Sequence, residues 1–264
     1  MPEITAAMVK ALREETQQGM MECKKALTET GGDIEAAKDL LRKKGLATAE
    51  KKAARTTSEG LIGLKRNADG SAAAMVEVRC ETDFAARNER FKELVEKLTD
   101  MALASAPGEL PASDEVNAVV QDVLAKIGEN MSYARGVKIA AEKVGTYLHH
   151  NNKVGVIVGV EGPAEEQLLT DLCMHIAFAD PVAITPDEVP AEMVEKERQF
   201  AIQEAKDSGK PQEIAEKMVE GKMRKYLASL ALLEQPFVRD EKQKVKDVLG
   251  EAKIVRFARY AVGG

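Results

Sequence analysis

The sequence predicts an α+β protein: an N-terminal three-helix bundle, then two related antiparallel-sheet-plus-helix subdomains, the second carrying an inserted helical hairpin. Three observations lead there. Over the first fifty-odd positions apolar residues recur at helical spacing between glycine stops. Near residue 60 the period drops to that of an extended strand. A strand-then-helix pattern then comes round a second time in the latter half. The expected units are residues 1–55 for the bundle, 56–148 for the first subdomain and 149–264 for the second, with the hairpin at about 190–230.

Thr5 can cap a first helix whose apolar residues are Met8, Val9 and Leu12, and Gly19 ends it. Met20 to Glu29 reads as a second helix. Gly31-Gly32 breaks the chain, and Asp33 caps a third helix with Ile34, Ala37, Leu40 and Leu41 on one side, stopped at Gly45. Residues 47–59 read as a charged linker, with a helical conformation left open. Gly60 to Arg66 and Ser71 to Cys80 then read as a hairpin about Asn67-Ala68-Asp69-Gly70, because Asp-Gly supplies the positive φ of a tight turn. In its second strand Ala74, Val76, Val78 and Cys80 share one face while Glu77, Arg79 and Glu81 take the other, the pattern of a half-buried strand.

A helix from about Asn88 to Ala104 buries Phe91, Leu94, Val95, Leu98 and Met101. Glu115 to Ile127 and Gly136 to Tyr147 read as further helices, Lys153 to Val160 as a strand, and Leu168, Leu169, Leu172 and Ile176 as the stripe of the helix after it. The phrase Leu98-Thr99-Asp100-Met101 returns 71 residues later as Leu169-Thr170-Asp171-Leu172, and Asp114-Glu115-Val116 returns 73 residues later as Asp187-Glu188-Val189. Such close offsets suggest a duplicated module. Beyond Pro190 a helical hairpin turns at Ser208-Gly209-Lys210-Pro211, with Met193, Phe200 and Ala201 facing Ile214, Met218 and Met223. Ile254 to Val262 reads as a strand returning to the sheet.

The formal net charge of −6 argues against general nucleic-acid binding, which needs a clear basic excess on some face. No apolar run is long enough to span a bilayer. Met1-Pro2-Glu3-Ile4-Thr5 offers neither a basic start nor an apolar stretch, so no secretory signal is expected there. Cys23, Cys80 and Cys173 are scattered without CxxC spacing, which points to a reducing, cytoplasmic setting. With no Trp, four Tyr and six Phe among 264 residues, the core must rest on aliphatic side chains, and an aromatic in a loop asks for a reason.

Motifs for enzyme chemistry are missing: there is no phosphate-cradling glycine loop with Lys and Ser/Thr, no HExxH and no GxSxG. His149-His150, adjacent on an extended segment, should face opposite ways and not share a metal. His175, among Met174, Ile176 and Phe178, reads as a core histidine. The segment Cys80-Glu81-Thr82-Asp83-Phe84-Ala85-Ala86-Arg87 stands between a strand and a helix, where loops on a rigid scaffold carry binding residues. Two readings of it stay open. Thr82 or Asp83 caps a helix while Phe84 folds back into the core, or Asp83 and Phe84 present a carboxylate and an aromatic wedge to solvent.

The block Glu77-Val78-Arg79-Cys80-Glu81-Thr82-Asp83-Phe84 resembles the signature of the bacterial translation elongation factor Ts family. Leu12-Arg13-Glu14-Glu15-Thr16-Gln17-Gln18-Gly19-Met20-Met21-Glu22-Cys23-Lys24-Lys25-Ala26-Leu27 is similar to its N-terminal stretch. Ser208-Gly209-Lys210-Pro211, Glu213 to Gly221 and Gln235-Pro236-Phe237-Val238 resemble its hairpin region. The blocks run in family order over nearly the whole chain. Departures are Arg79 for the usual Asn, Gln17 for a common Gly, and Ala85 for Val, the last expected to trim apolar surface beside the wedge.

The resemblance implies a ubiquitin-associated-like N-terminal bundle, a duplicated α+β core, and a helical hairpin that serves as a dimerisation or coiled-coil module. It implies a guanine-nucleotide exchange factor for elongation factor Tu, not an enzyme, that promotes GDP release by disturbing the Mg²⁺ and phosphate site. GDP, GTP and Mg²⁺ are then bound by the partner, and no cofactor, membrane or direct nucleic-acid contact is expected. Thr82, Asp83, Phe84 and Ala85 correspond to the inserting segment. Arg13, Met20 and Met21 resemble a second contact, though core packing is an open alternative for the two Met residues. His149 corresponds to a position facing another domain of the partner. The assembly is left open between a homodimer and a two-plus-two complex with the GTPase. Two rival functions stay in view: a scaffold without exchange activity, favoured by a buried Phe84, and a small-molecule enzyme, favoured by a pocket gathering Cys80, His149 and acidic residues.

Overall fold

The computed structural model describes residues 4–264 except Gln17, Ala53 and Lys210, and gives only the backbone of residues 46 and 48–51. What was read from residues 1–3, Gln17 and Lys210 lies outside the described residues.

Helices α1 (Ala6–Thr16), α2 (Met20–Glu29) and α3 (Ile34–Lys52) form the N-terminal bundle. The Met8 amide donates to Thr5 Oγ1 at 3.3 Å and the Ala36 amide to Asp33 Oδ1 at 3.0 Å, so both expected caps are in place. Val9, Leu12, Cys23, Ala26, Leu27 and Leu41 are buried together in its core. Gly45 does not stop the third helix, which continues to Lys52. A Cβ at Gly45 would lie 2.8 Å from the Cβ of Ala125, so the glycine is there for a close helix contact and not for an end.

Strands β1 (Glu59–Arg66) and β2 (Ala72–Cys80) form the expected hairpin, with Gly70 at φ 75° and Asp69 Oδ1 accepting from the Ser71 amide at 2.9 Å. There follow α4 (Asp83–Arg87), α5 (Glu89–Ala104), β3 (Gly108–Glu109), α6 (Asp114–Ile127) and β4 (Met131–Ala140). They complete an antiparallel sheet of order β1-β2-β4-β3. The second sheet, also antiparallel, has order β5-β6-β9, built from β5 (Lys143–Leu148), β6 (Val154–Glu161) and β9 (Lys253–Ala261). Between β6 and β9 run α7 (Glu166–Ala179), α8 (Ala191–Asp207), α9 (Gln212–Leu230), the two-stranded ribbon of β7 (Pro236–Phe237) and β8 (Asp240–Lys244), and α10 (Val245–Leu249).

Residues 136–147, read above as helix, are therefore strand, turn and strand. Val137, Ile139 and Val144 point into the space between the sheets, and this burial overrides a pattern that also fits helical spacing. The second sheet takes in β5, which precedes residue 149.

The duplication is visible in topology. Each subdomain is a hairpin, a helix across it, and a third strand antiparallel to the hairpin's second strand. Arg66 and Leu148 end the first strands, Ala72 and Val154 begin the second, and bulges fall after Glu77 and after Gly159: every pair is 82 residues apart. The offset of 71 between the repeated phrases is not the structural one. Leu98 lies in the second half of α5 and Leu169 in the first turn of α7, and Asp187 belongs to a 3₁₀ turn (Pro186–Glu188), unlike Asp114 in α6.

The sheets stack face to face, with α5 and α6 covering the outer face of the first and α7 that of the second. Ile62, Met75, Val137, Ile139 and Ile157 fill the space between the sheets. Consequently β2 is buried on both faces, not half-buried. Ala74, Val76 and Val78 meet α5, while Ala73 and Met75 meet the other sheet. Glu77, expected at the solvent face, is fully buried. Its carboxylate accepts from Arg79 Nε at 2.6 Å, Arg135 Nε at 2.7 Å and the Gly263 amide at 3.1 Å. A carboxylate in that position is tolerated because each oxygen has a cation or amide partner.

In the helical hairpin Ala201, Ala205 and Met223 are buried, whereas Phe200 and Ile214 stand exposed, correcting the seam read from the sequence. His175 on α7 is buried. Its Nε2 is 2.9 Å from Gln235 Oε1, and its Nδ1 accepts from the Val238 amide at 3.2 Å. Those partners require a neutral ring protonated on Nε2, and they tie α7 to the chain returning from the hairpin, as Gln235 Nε2 also donates to Ser229 O at 2.6 Å.

Two outcomes follow from this packing. A Cβ at Gly155 would lie 2.7 Å from both Ile62 Cγ2 and Met75 Sδ. Gly155→Ala is expected to cost about 1–3 kcal/mol by urea denaturation, the usual range for an overpacked core. Burial holds the His175 pKa below its ordinary 6.5, with the Gln235 bond opposing more weakly. Below that value the unfolded chain binds more protons than the folded one, so this contribution is fully present above about pH 6.5 and is lost as pH falls through the depressed folded value. Denaturation midpoints between about pH 7.5 and 5.5 should fall for the parent chain and less for His175→Gln.

Candidate functional site

The segment from β2 to α5 is rigid at both ends and exposed in the middle. Cys80 is buried, its thiol donating to Thr82 O at 3.3 Å, and burial pushes its pKa up to about 12. At neutral pH it is a thiol and not a nucleophile. Thr82 is the N-cap of the single-turn helix α4: its Oγ1 accepts from the Ala85 amide at 3.1 Å and donates to Glu129 Oε2 at 2.9 Å. Asn88 Oδ1 then accepts from the Arg90 amide at 3.0 Å and starts α5 immediately.

This geometry separates the four predicted residues. The cap expected at Thr82 is present, but Phe84 does not fold back: its side chain is 78% exposed at the tip of the turn. Asp83 is half-exposed and pairs with Arg87 at 3.1 Å, an i,i+4 surface pair of small energetic weight. Ala85 faces inward and is buried with Ala86 in the cluster that also holds Val78 and Phe91. Its small size is therefore felt in the core beneath the turn and not, as expected above, on the surface beside Phe84.

On the bundle, Arg13 is exposed in the last turn of α1, and Met20 and Met21 are 54% and 64% exposed at the start of α2. The core-packing alternative for both Met residues is thereby removed. Cys23, at the next helical turn, fills the bundle core in their place.

His149 opens the β5–β6 turn, its Nδ1 2.8 Å from Tyr147 Oη. Its ring lies 4.2 Å from that of His150, centroid to centroid, so the two side chains do not diverge: the turn bends where an extended segment would have separated them. Among the described residues no group of three or more His, Cys, Asp and Glu side chains is arranged to hold a metal ion. His149 borders a groove with Tyr147, Met174, Phe178, Val238 and Arg239. Phe178, 81% exposed, escaped the sequence reading, which grouped it with the core around His175. Its position two residues beyond Ile176 puts it about 200° round the helix from the buried stripe, and that spacing was the available signal.

The sequence also gave no sign of the residues that brace the turn. Glu81 Oε1 accepts from the Asn130 amide at 2.5 Å, a bond that, with the pairing to Arg55 at 3.3 Å, holds its carboxyl below the usual carboxylate range. Glu129, Asn130 and Arg55 are distant in sequence, and no local pattern pairs them with Glu81 or Thr82.

The sequence pattern of the family described as Elongation factor TS matches residues 81–264. A curated protein named Elongation factor Ts from Thioalkalivibrio sulfidiphilus is 45% identical over 271 residues, covering 98% of this chain and 92% of the relative. Those of Methylococcus capsulatus and Yersinia pestis are 45% and 46% identical, covering 98% and 100% of this chain and 92% and 93% of the relatives.

The exposure of Phe84 and the double bonding of Thr82 make opposite demands on stability. Phe84→Ala should change unfolding free energy by less than about 0.5 kcal/mol, as for surface substitutions generally. Thr82→Ala should cost about 1–2 kcal/mol through the lost cap. Urea denaturation followed by circular dichroism measures both.

Proposed function

The chain belongs to the elongation factor Ts family, and from that premise we propose that it is the guanine-nucleotide exchange factor for elongation factor Tu, acting through the turn that carries Phe84. The observation that carries this reading is a large apolar ring held 78% exposed on a capped, braced turn, in a chain with only ten Phe and Tyr residues and no Trp. Burying that ring against a partner is worth about 1.5–3 kcal/mol, and holding it ready in the free protein avoids an ordering cost on binding.

A GTPase that holds its nucleotide at about nanomolar affinity has about 12 kcal/mol of binding free energy, so unaided release is slow. A protein that binds the empty GTPase more tightly than the loaded one weakens the nucleotide by the same factor. Phe84 enters between helices of the GTPase near its magnesium site, and Asp83 follows it. The surface pair with Arg87 is weak enough for the Asp83 carboxylate to change partners at small cost. Displacing the groups that position Mg²⁺ removes the main counter-charge of the phosphates, and GDP leaves. Thr82 and Ala85 act from beneath, as cap and packed floor.

No covalent bond is made or broken, and the chain needs no cofactor of its own, because GDP, GTP and Mg²⁺ belong to the partner. Arg13, Met20 and Met21 form a second contact on the GTPase domain, and His149 with the groove beside it meets a different domain. No nucleic acid or membrane is involved in this reading, and a cytoplasmic site of action accords with it; no helix among the described residues is long and apolar enough to cross a membrane. The exposed Phe200 and Ile214 on the helical hairpin leave a homodimer and a two-plus-two complex with the GTPase both available.

Stopped-flow release of a fluorescent GDP analogue from elongation factor Tu tests the assignment. The parent chain should accelerate release, Phe84→Ala should reduce the saturating rate by about tenfold or more, and Asp83→Ala by less. Parent-like rates for both variants would remove the roles given to them.

A further inference from the structure

One short stretch of chain touches both proposed contact regions. The C-terminal turn of α6 and the entry to β4, residues 125–130, lie between the N-terminal bundle and the Phe84 turn. On the bundle side, Gln18 Nε2 donates to Ala125 O at 3.2 Å, Lys52 Nζ donates to Gly128 O, and Gly45 lets α3 approach the Cβ of Ala125. On the other side, Glu129 Oε2 accepts from Thr82 Oγ1 at 2.9 Å, and the Asn130 amide donates to Glu81 Oε1 at 2.5 Å. Asn130 Nδ2 also donates to Arg55 O at 2.7 Å, joining the end of the bundle linker to the same point.

The stretch is itself tightly specified. Gly128 adopts φ 81° and its amide donates to Leu124 O at 2.7 Å, a left-handed helix end that a side chain would strain. Asn130 is buried. By contrast α4 has only five residues, far fewer than an isolated helix needs to persist, so its conformation depends on what holds it from outside. Thr82 has one hydroxyl. When its proton is committed to Glu129, a lone pair is directed at the Ala85 amide; without Glu129 the hydroxyl rotates freely and the cap weakens.

We propose that Glu129 is a positioning residue for nucleotide exchange, and that the 125–130 stretch sets the Phe84 wedge in fixed register with Met20 and Met21 on the bundle. Glu129 touches neither nucleotide nor metal. It acts through Thr82 on the direction in which Phe84 leaves the surface. The stretch lets the bundle contact and the wedge meet one partner face in a set relative orientation. This inference rests on the exchange reading above.

The test compares the parent chain, Phe84→Ala, Glu129→Ala and Glu129→Gln in GDP release from elongation factor Tu across a range of factor concentrations. Each variant is held below its melting transition, checked by circular dichroism. Glu129→Ala should lower the saturating rate about five- to tenfold while moving the half-saturating concentration less than about twofold, since the contact residues remain. Glu129→Gln, which keeps an acceptor oxygen for Thr82, should retain the parent rate. Without any partner, hydrogen exchange at the Ala85 amide should quicken about tenfold in Glu129→Ala and not in Glu129→Gln. A parent-like rate for Glu129→Ala beside a slow Phe84→Ala overturns the positioning role and leaves the exchange reading standing, and so does equal slowing by Ala and Gln. A parent chain that fails to accelerate GDP release overturns both.

Discussion

The close stacking of the two sheets is the contact on which the rest of the molecule depends. Gly155 and Gly159 on β6 leave room for Ile62, Met75 and Ile139 of the facing sheet, and no side chain at either glycine could be accommodated without movement. Apolar burial between the sheets, at about 25 cal/mol per Å², fuses two subdomains that each have a single covering layer of helix. Small residues serve this arrangement well. Ala72, Ala73 and Ala74 on β2 are all buried, and a strand sandwiched between a helix and a second sheet has little space for rings. The scarcity of aromatics is thus a property of the core, and it makes the exposed phenylalanines stand out: Phe84, Phe178 and Phe200 are three of the six in the chain.

A stiff core matters for the site because the site is short. Five residues of helix and one exposed ring cannot hold a direction alone. They inherit it from β2, whose end is paired on both sides, from α5, which is separated from α4 by Asn88 alone, and from the braces at Glu129 and Asn130. The N-terminal bundle has a core of its own but is small, and its placement comes from α6. The C-terminal end of α6 and the residues just after it do both: Ala125 and Gly128 meet the bundle, and Glu129 and Asn130 brace the turn. Two surfaces far apart in sequence are in this way carried on one support.

Much of the fold is legible locally. Helices with a clear apolar stripe and a capping residue, such as α1, α5 and α6, are where spacing puts them, and Asp69-Gly70 makes its turn. Failures have a common cause, in that a second layer was invisible. Residues 136–147 carry apolar spacing that suits helix or strand, and only the opposite sheet selects strand. Glu77 looks like a solvent-facing residue until the second sheet covers it and Arg79 and Arg135 neutralise it. Gly45 looks like a stop until Ala125 arrives against it. Repeated phrases suggested the duplication correctly in kind, but the structural register of 82 residues lies in hairpin length and bulge position, which no local phrase displays.

By itself the sequence determined the fold class, the β-hairpin and the family, because these depend on local spacing and on motifs that are contiguous in the chain. It left undecided whether Phe84, Met20 and Met21 face the core or the solvent. Only the tertiary structure decided that, since exposure is a relation between a side chain and whatever packs over it. Here Ala85 and Ala86 fill the core beneath the turn, Cys23 fills the bundle, and the larger apolar residues are left exposed. The bracing of the turn by Glu129 is of the same kind: 47 residues separate it from Thr82, and the bond exists only once α6 and β4 have folded against β2.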